Sequence, residues 1–220
     1  ISCSLVGSEM CIRDRYRSKV LAIFDQIPGL LSQHEKRVIF KKIQEGSYAE
    51  QYEETFFWLA DSMISNECFL CNDPNIGLSI NEVRTYVKCY MGDTGLLISH
   101  AFDENGLVSE EIYKKLLFDK LEVNKGMIME NIVAQMLVAS GHKLYFYSNP
   151  SRDDKEARME IDFLIAKSKV SSRHNISPIE VKSGSHYTIL SLQKFVARFA
   201  EQTAQPYVLH TNDFKEENGI

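Results

Sequence analysis

The sequence lacks any apolar run approaching the ~20 residues that a membrane-spanning helix requires. It also lacks a basic segment followed by an apolar core at its start, so no secretory leader is read and a cytoplasmic location is expected. Positive charge is in short supply. Lys+Arg number 25 against 30 Asp+Glu, a formal net charge of −5, which excludes an overall basic footprint for nucleic acid and leaves only a local patch. Cysteines are few and odd in number: Cys3, Cys11, Cys68, Cys71 and Cys89, all in the first half. That is too sparse for a secreted disulfide scaffold and points to a reducing compartment. Cys68-x-x-Cys71 has no second pair and no nearby His, so core cysteines are expected there rather than zinc ligands. No G-x-x-x-x-G-K-[ST] occurs, so the chain has no glycine loop to cradle a nucleotide's phosphates.

What remains is ordinary globular material. The 220 residues are 44% hydrophobic and 25% charged, enough for one large domain or two small ones. The chain opens on Ile, and Ser4–Arg15 (SLVGSEMCIRDR) resembles a translated sequencing-adapter read. Residues 1–15 are therefore expected to pack against nothing. Val20, Ile23, Phe24 and Ile27 fall at helical spacing, and Pro28-Gly29 is read as the stop of that helix. Ser32–Glu35 and Ser47–Glu50 match capping boxes, predicting helices over about 33–44 and from 47 to about Ile64. Cys68–Cys71 is a short apolar stretch. Alternation of Val83, Thr85, Val87, Cys89 and Met91 with Arg84, Tyr86, Lys88 and Tyr90 predicts a strand. Two capped helices and two short strands outline a winged helix over 16–105. Asp93-Thr94 starts a further helix, and Ser109 caps another to about Asp119.

The rest, 106–220, reads as an α/β domain. A helix over about 124–140 stops at Gly141. Strands follow at 143–148, 158–166 and 178–182, then a helix over about 187–203 and a strand at 206–210. In the second of these strands, Met159, Ile161, Phe163 and Ile165 are read on one face. The order helix, three strands, helix, strand is an α/β sandwich.

The chemistry concentrates in Glu160-Ile161-Asp162 and Glu180-Val181-Lys182. Alternation along a strand puts Glu160 with Asp162 and Glu180 with Lys182, away from Ile161, Ile179 and Val181. If the strands pair, two or three carboxylates and a lysine converge, and carboxylates suit hard divalent cations such as Mg²⁺. Lysine stabilises developing phosphoryl charge, and Glu130 on the preceding helix is placed to complete the set. The competing reading is a row of solvated charges on a half-buried sheet.

Five motifs in order then carry a resemblance: Phe57–Asp61 (FWLAD), Tyr90–Leu97 (YMGDTGLL), Glu130–Gln135 (ENIVAQ), Glu160–Phe163 (EIDF) and Pro178–Gly184 (PIEVKSG). From about Ser18 onward the chain resembles the C-terminal part of the prokaryotic AAA-type ATP-binding protein family, which ends in "domain of unknown function 4143". The resemblance implies a PD-(D/E)xK restriction-endonuclease-like α-β-β-β-α-β domain after the winged segment. It puts Glu130, Asp162, Glu180 and Lys182 on nuclease-like site positions. Asp162 and Glu180 would hold Mg²⁺ or Mn²⁺, and Lys182 and Glu130 would serve catalysis. ATP would act only through the family's N-terminal module, which this chain does not contain, as expected of a truncated gene read. Two functions follow from the resemblance. One is a domain acting on DNA or nucleoprotein, by Mg²⁺-dependent phosphodiester hydrolysis. The other is a catalytically inactive protein-interaction module.

Overall fold

The computed structural model describes residues 17–33, 36–38, 52–74, 77–102, 125–151, 154, 156–166, 175–184, 186–214 and 216. The opening stretch 1–15, the capping box at 47–50 and the helix expected after Ser109 lie outside the described residues.

The described chain begins with helical residues 17–24 (α1), followed by α2 (Ile27–Leu31). Pro28 sits in the first turn of α2, where its missing N–H has no intrahelical acceptor to lose, so Pro28-Gly29 starts a helix instead of stopping one. The helix expected over 33–44 is not present at 36–38. There the chain is extended: Arg37 bridges Lys88 in antiparallel sense, and the Val38 N–H donates to the Val87 carbonyl at 2.8 Å. Helix α3 (Glu53–Asp61) buries Phe56 and Leu59. It ends at Ser62, and Met63 at φ 56° turns the chain into β1 (Ser65–Cys71), which starts three residues before the apolar stretch. A short 3-10 turn, Leu78–Asn81, leads to β2 (Glu82–Met91), antiparallel to β1. Helix α4 (Thr94–Phe102) starts where Asp93 caps it, its Oδ1 accepting the Leu96 N–H at 2.8 Å.

The second half follows the expected order: α5 (Lys125–Ala139), β3 (Leu144–Asn149), β4 (Met159–Ala166), β5 (Ile176–Lys182), α6 (Leu190–Arg198) and β6 (Tyr207–His210). The architecture is mixed α and β. All six strands form one sheet in the order β2-β1-β3-β4-β5-β6, with β1–β3 and β5–β6 parallel and the other three pairs antiparallel. The strands of the two halves thus share a single ladder.

One apolar cluster gathers Ile27, Leu31, Leu59, Leu97, Met127 and Val133 with Phe163, Ile179 and Val181. A second gathers Tyr147, Ile161, Leu164 and Ile176 with Leu192 and Phe195 of α6. Here the expected facing of β4 is corrected. Ile161 and Phe163 are both fully buried but belong to different clusters. Tyr147 pairs with Ile161 and Tyr145 with Leu164, so one residue of β3 faces two of β4, Asp162 and Phe163. That extra residue is a β-bulge, and it resets the alternation so that Leu164 takes the face Phe163 was expected to occupy.

Candidate carboxylate–lysine site

The bulge also decides where Asp162 goes. Its Oδ2 accepts the backbone N–H of Val181 on β5 at 2.8 Å, so its carboxylate is tied to the neighbouring strand. Burial pushes the Asp162 carboxyl up to about 6, and the charge of Glu130 adds to the rise against Lys88, the Val181 N–H and Lys36. Glu130 is 5% exposed on α5. It forms an ion pair with Lys36, and its Oε2 accepts the Tyr90 hydroxyl at 3.2 Å. Burial, with Glu130 beside it, raises the Tyr90 phenol well above its ordinary value, so the hydroxyl stays a donor.

Lys88 is the most unusual member. It is 1% exposed, on β2, and its Nζ donates to Glu160 Oε1 at 2.7 Å while lying 4.6 Å from the centroid of the Phe146 ring. Burial alone would strip the proton from such a lysine. The charges of Glu160, Asp162 and Glu130 outweigh that burial and raise the group, so Lys88 is a buried cation. Glu180 is 3% exposed on β5. Its Oε2 stands 3.5 Å from Lys182 Nζ and accepts no hydrogen bond. Burial drives its carboxyl up to about 7; Lys182 opposes the rise and Asp162 assists it.

The structure therefore buries Glu130, Asp162 and Glu180 in one electrostatic neighbourhood, as the sequence suggested, with Lys182 beside Glu180. They are not a row of solvated charges. Three residues that sequence reasoning did not single out join them: Lys36, Lys88 and Tyr90. The alternating pattern of β2 predicts a strand and gives Lys88 and Tyr90 no role, and Val87 to Met91 are all buried. The hint was a lysine set between Val87 and Cys89 in an otherwise apolar stretch.

A divalent ion would need oxygen ligands converging on one point. Among the described residues no group of three or more His, Cys, Asp and Glu side chains is arranged to hold a metal ion. Glu130, Glu160 and Glu180 each face a lysine ammonium, and Asp162 faces a backbone N–H. Beside Glu130, Glu160 and Glu180, lysine here supplies positive charge of the kind that the expected Mg²⁺ or Mn²⁺ would bring. Cys68, Cys71 and Cys89 are free, buried thiols.

The neighbouring Asn131 explains two of the motifs. Its Oδ1 accepts the Met91 N–H at 2.8 Å, and its Nδ2 donates to the Met91 carbonyl at 3.1 Å and to Thr94 Oγ1 at 3.0 Å. Gln135 Oε1 accepts both the N–H and the hydroxyl of Thr94, at 3.1 and 2.9 Å. The ENIVAQ helix thereby grips the YMGDTG turn. Residues 125–219 match the family model of a domain of unknown function, DUF4143. A second model, also described as a domain of unknown function (DUF8612), matches residues 12–105. Neither the curated proteins nor the solved structures yield a match. The carboxylates belong to the DUF4143 segment and Lys36, Lys88 and Tyr90 to the DUF8612 segment, so the charge cluster is built from both. Among the described residues no helix is long and apolar enough to cross a membrane.

Proposed function

We propose that the chain is the C-terminal portion of an AAA-type ATPase, and that its DUF4143 segment is a PD-(D/E)xK-like core working as a catalytically silent interaction module. The order α5-β3-β4-β5-α6-β6 supports the nuclease-like core. Helix α3 followed by the antiparallel pair β1–β2 supports a winged-helix origin for the preceding segment. The silent reading is carried by the lysine pairing. Lys36 and Lys88, both from outside the DUF4143 segment, pair with Glu130 and Glu160, so cations already occupy the surroundings of the expected metal ligands Asp162 and Glu180. On this reading ATP hydrolysis belongs to a separate module, since the chain holds no phosphate-cradling loop.

A second reading is favoured by one observation. Glu180 Oε2 is buried and accepts no hydrogen bond, and Asp162 lies close enough to raise its pKa. A divalent cation would relieve that carboxylate, with Lys182 set beside the attacked phosphate of DNA. The two readings separate in a titration with Mn²⁺ alongside a plasmid-nicking assay. The silent module gives no binding heat, no thermal shift at millimolar Mn²⁺ and no metal-dependent nicking. Nicking that is lost in Glu180→Gln and in Lys182→Ala would overturn it in favour of the nuclease.

A further inference from the structure

Apart from the carboxylate cluster, a groove of about 1030 Å³ opens between α3, the β1–β2 pair and the junction of α5 with β3. Its walls are apolar and accessible: Phe57 is 73% exposed and Val138 39%, with Phe69 between them on the strand side. Its polar lining is mainly acidic. Glu53 and Glu54 come from α3, Glu67 from β1 and Glu82 from β2. Of the two described lining residues that are always cationic, Arg84 is already bonded to Glu53 at 3.0 Å and to Glu82 at 3.1 Å, leaving Lys143. Ser65, Glu67 and Phe69 alternate along β1 and so share its groove-lining face. The Glu67 carboxylate, held by the Ser65 hydroxyl at 2.7 Å, is thereby fixed on the strand face that also carries Phe69.

We propose that this groove docks an amphipathic protein segment presenting lysine or arginine beside apolar side chains. The proposal rests on the interaction-module reading and names the partner's chemistry. Among the described lining residues carboxylates outnumber cations, which disfavours a polyanion such as nucleic acid as the occupant. The exposed phenylalanine asks for apolar contact, and the half-buried Glu67 carboxylate on the same groove asks for a cation. Burial pushes the Glu67 carboxyl up to about 7, the mark of a negative charge poorly served by its surroundings and improved by an incoming cation.

The test uses the full chain at pH 8 and two synthetic peptides of about fourteen residues, one patterned from Leu and Lys and one with Glu in place of Lys. Isothermal titration is read with the fluorescence of Trp58, the single tryptophan, next to Phe57 on α3. The Lys peptide should bind and the Glu peptide should not. Glu67→Gln and Phe57→Ala should each weaken binding tenfold or more. Glu156→Gln, an exposed carboxylate outside the groove lining, should leave it unchanged. No binding of the Lys peptide overturns the proposal, as does equal weakening by Glu67→Gln and Glu156→Gln, which would mean diffuse attraction to an acidic surface. Because Phe57 is largely exposed, its truncation leaves folding intact and keeps the test valid should Glu67→Gln disturb the strand. Metal-dependent nicking would defeat the silent-module reading while leaving this binding result standing, so the two failures are distinguishable.

Discussion

Replacing Glu180 with glutamine should stabilise the protein at alkaline pH and have much less effect in acid. The side chain is 4% exposed, with one oxygen accepting no hydrogen bond. Its carboxyl is raised from the ordinary 4.5 to about 7 in the folded chain, chiefly by burial. A raised carboxyl binds its proton more tightly when folded, so its effect on stability is most favourable below the unfolded value and declines as pH climbs through the folded one. At about 1.4 kcal/mol per pH unit, ionised Glu180 costs about 3 kcal/mol at pH 8 and less than about 1 kcal/mol at pH 5. The glutamine side chain keeps the shape and cannot ionise. The variant should therefore gain about 2 kcal/mol on the parent between pH 5 and pH 8, read from urea denaturation at both pH values with the m-values compared. Glu67 titrates in both proteins and drops out of the difference, while Asp162 loses a neighbouring carboxylate in the variant, which adds to the gain. A variant no more stable than the parent at pH 8 would refute the reasoning, because the Lys182 pair would then be a net stabiliser.

Lys88→Met should destabilise the chain by about 3 kcal/mol, at the low end for breaking a buried pair because Glu160 is 38% exposed and partly solvated. Adding Glu160→Gln should restore part of that loss in a double-mutant cycle, and strict additivity would show that the pair is not coupled. Gly92→Ala should cost more than a surface substitution: a Cβ there would stand 2.1 Å from the Met63 carbonyl oxygen, and that approach is held by the Gly92 N–H donating to the Ile64 carbonyl at 2.8 Å. A midpoint unchanged from the parent in thermal unfolding would show that the Met63 turn yields freely.

Much of the second half was legible in the sequence because its periodicities are strong and its stops are local. The helix ending at Gly141 and the three strands after it were found within two residues of their ends. The facing of Phe163 was not legible, since a bulge is set by which residues of β3 pair with β4, a relation between distant stretches. The turn at Pro28 is ambiguous for a different reason: proline favours both the residue after a helix and the first turn of the next, and only the burial of Ile27, Leu30 and Leu31 decides between them. At the candidate site, type and spacing single out Asp162, Glu180 and Lys182, with Glu130 on the preceding helix, whereas they do not single out Lys36 and Lys88. Their role comes from folding two separate segments together, and Lys88 reaches Glu160 across 72 positions of sequence.

The parallel pairing of Cys68–Leu70 with Leu144–Phe146 has a practical consequence for anyone expressing a piece of this chain. A fragment cut at the start of the DUF4143 match would leave β3 with a bare row of N–H and C=O groups and with Leu144, Tyr145 and Phe146, all 5% exposed or less in the intact chain, uncovered along it. An unprotected apolar strand of that kind is a template for pairing with another copy of itself. The fragment should precipitate or form strand-paired oligomers, and solubility should return when β1 and β2 are supplied on the same polypeptide.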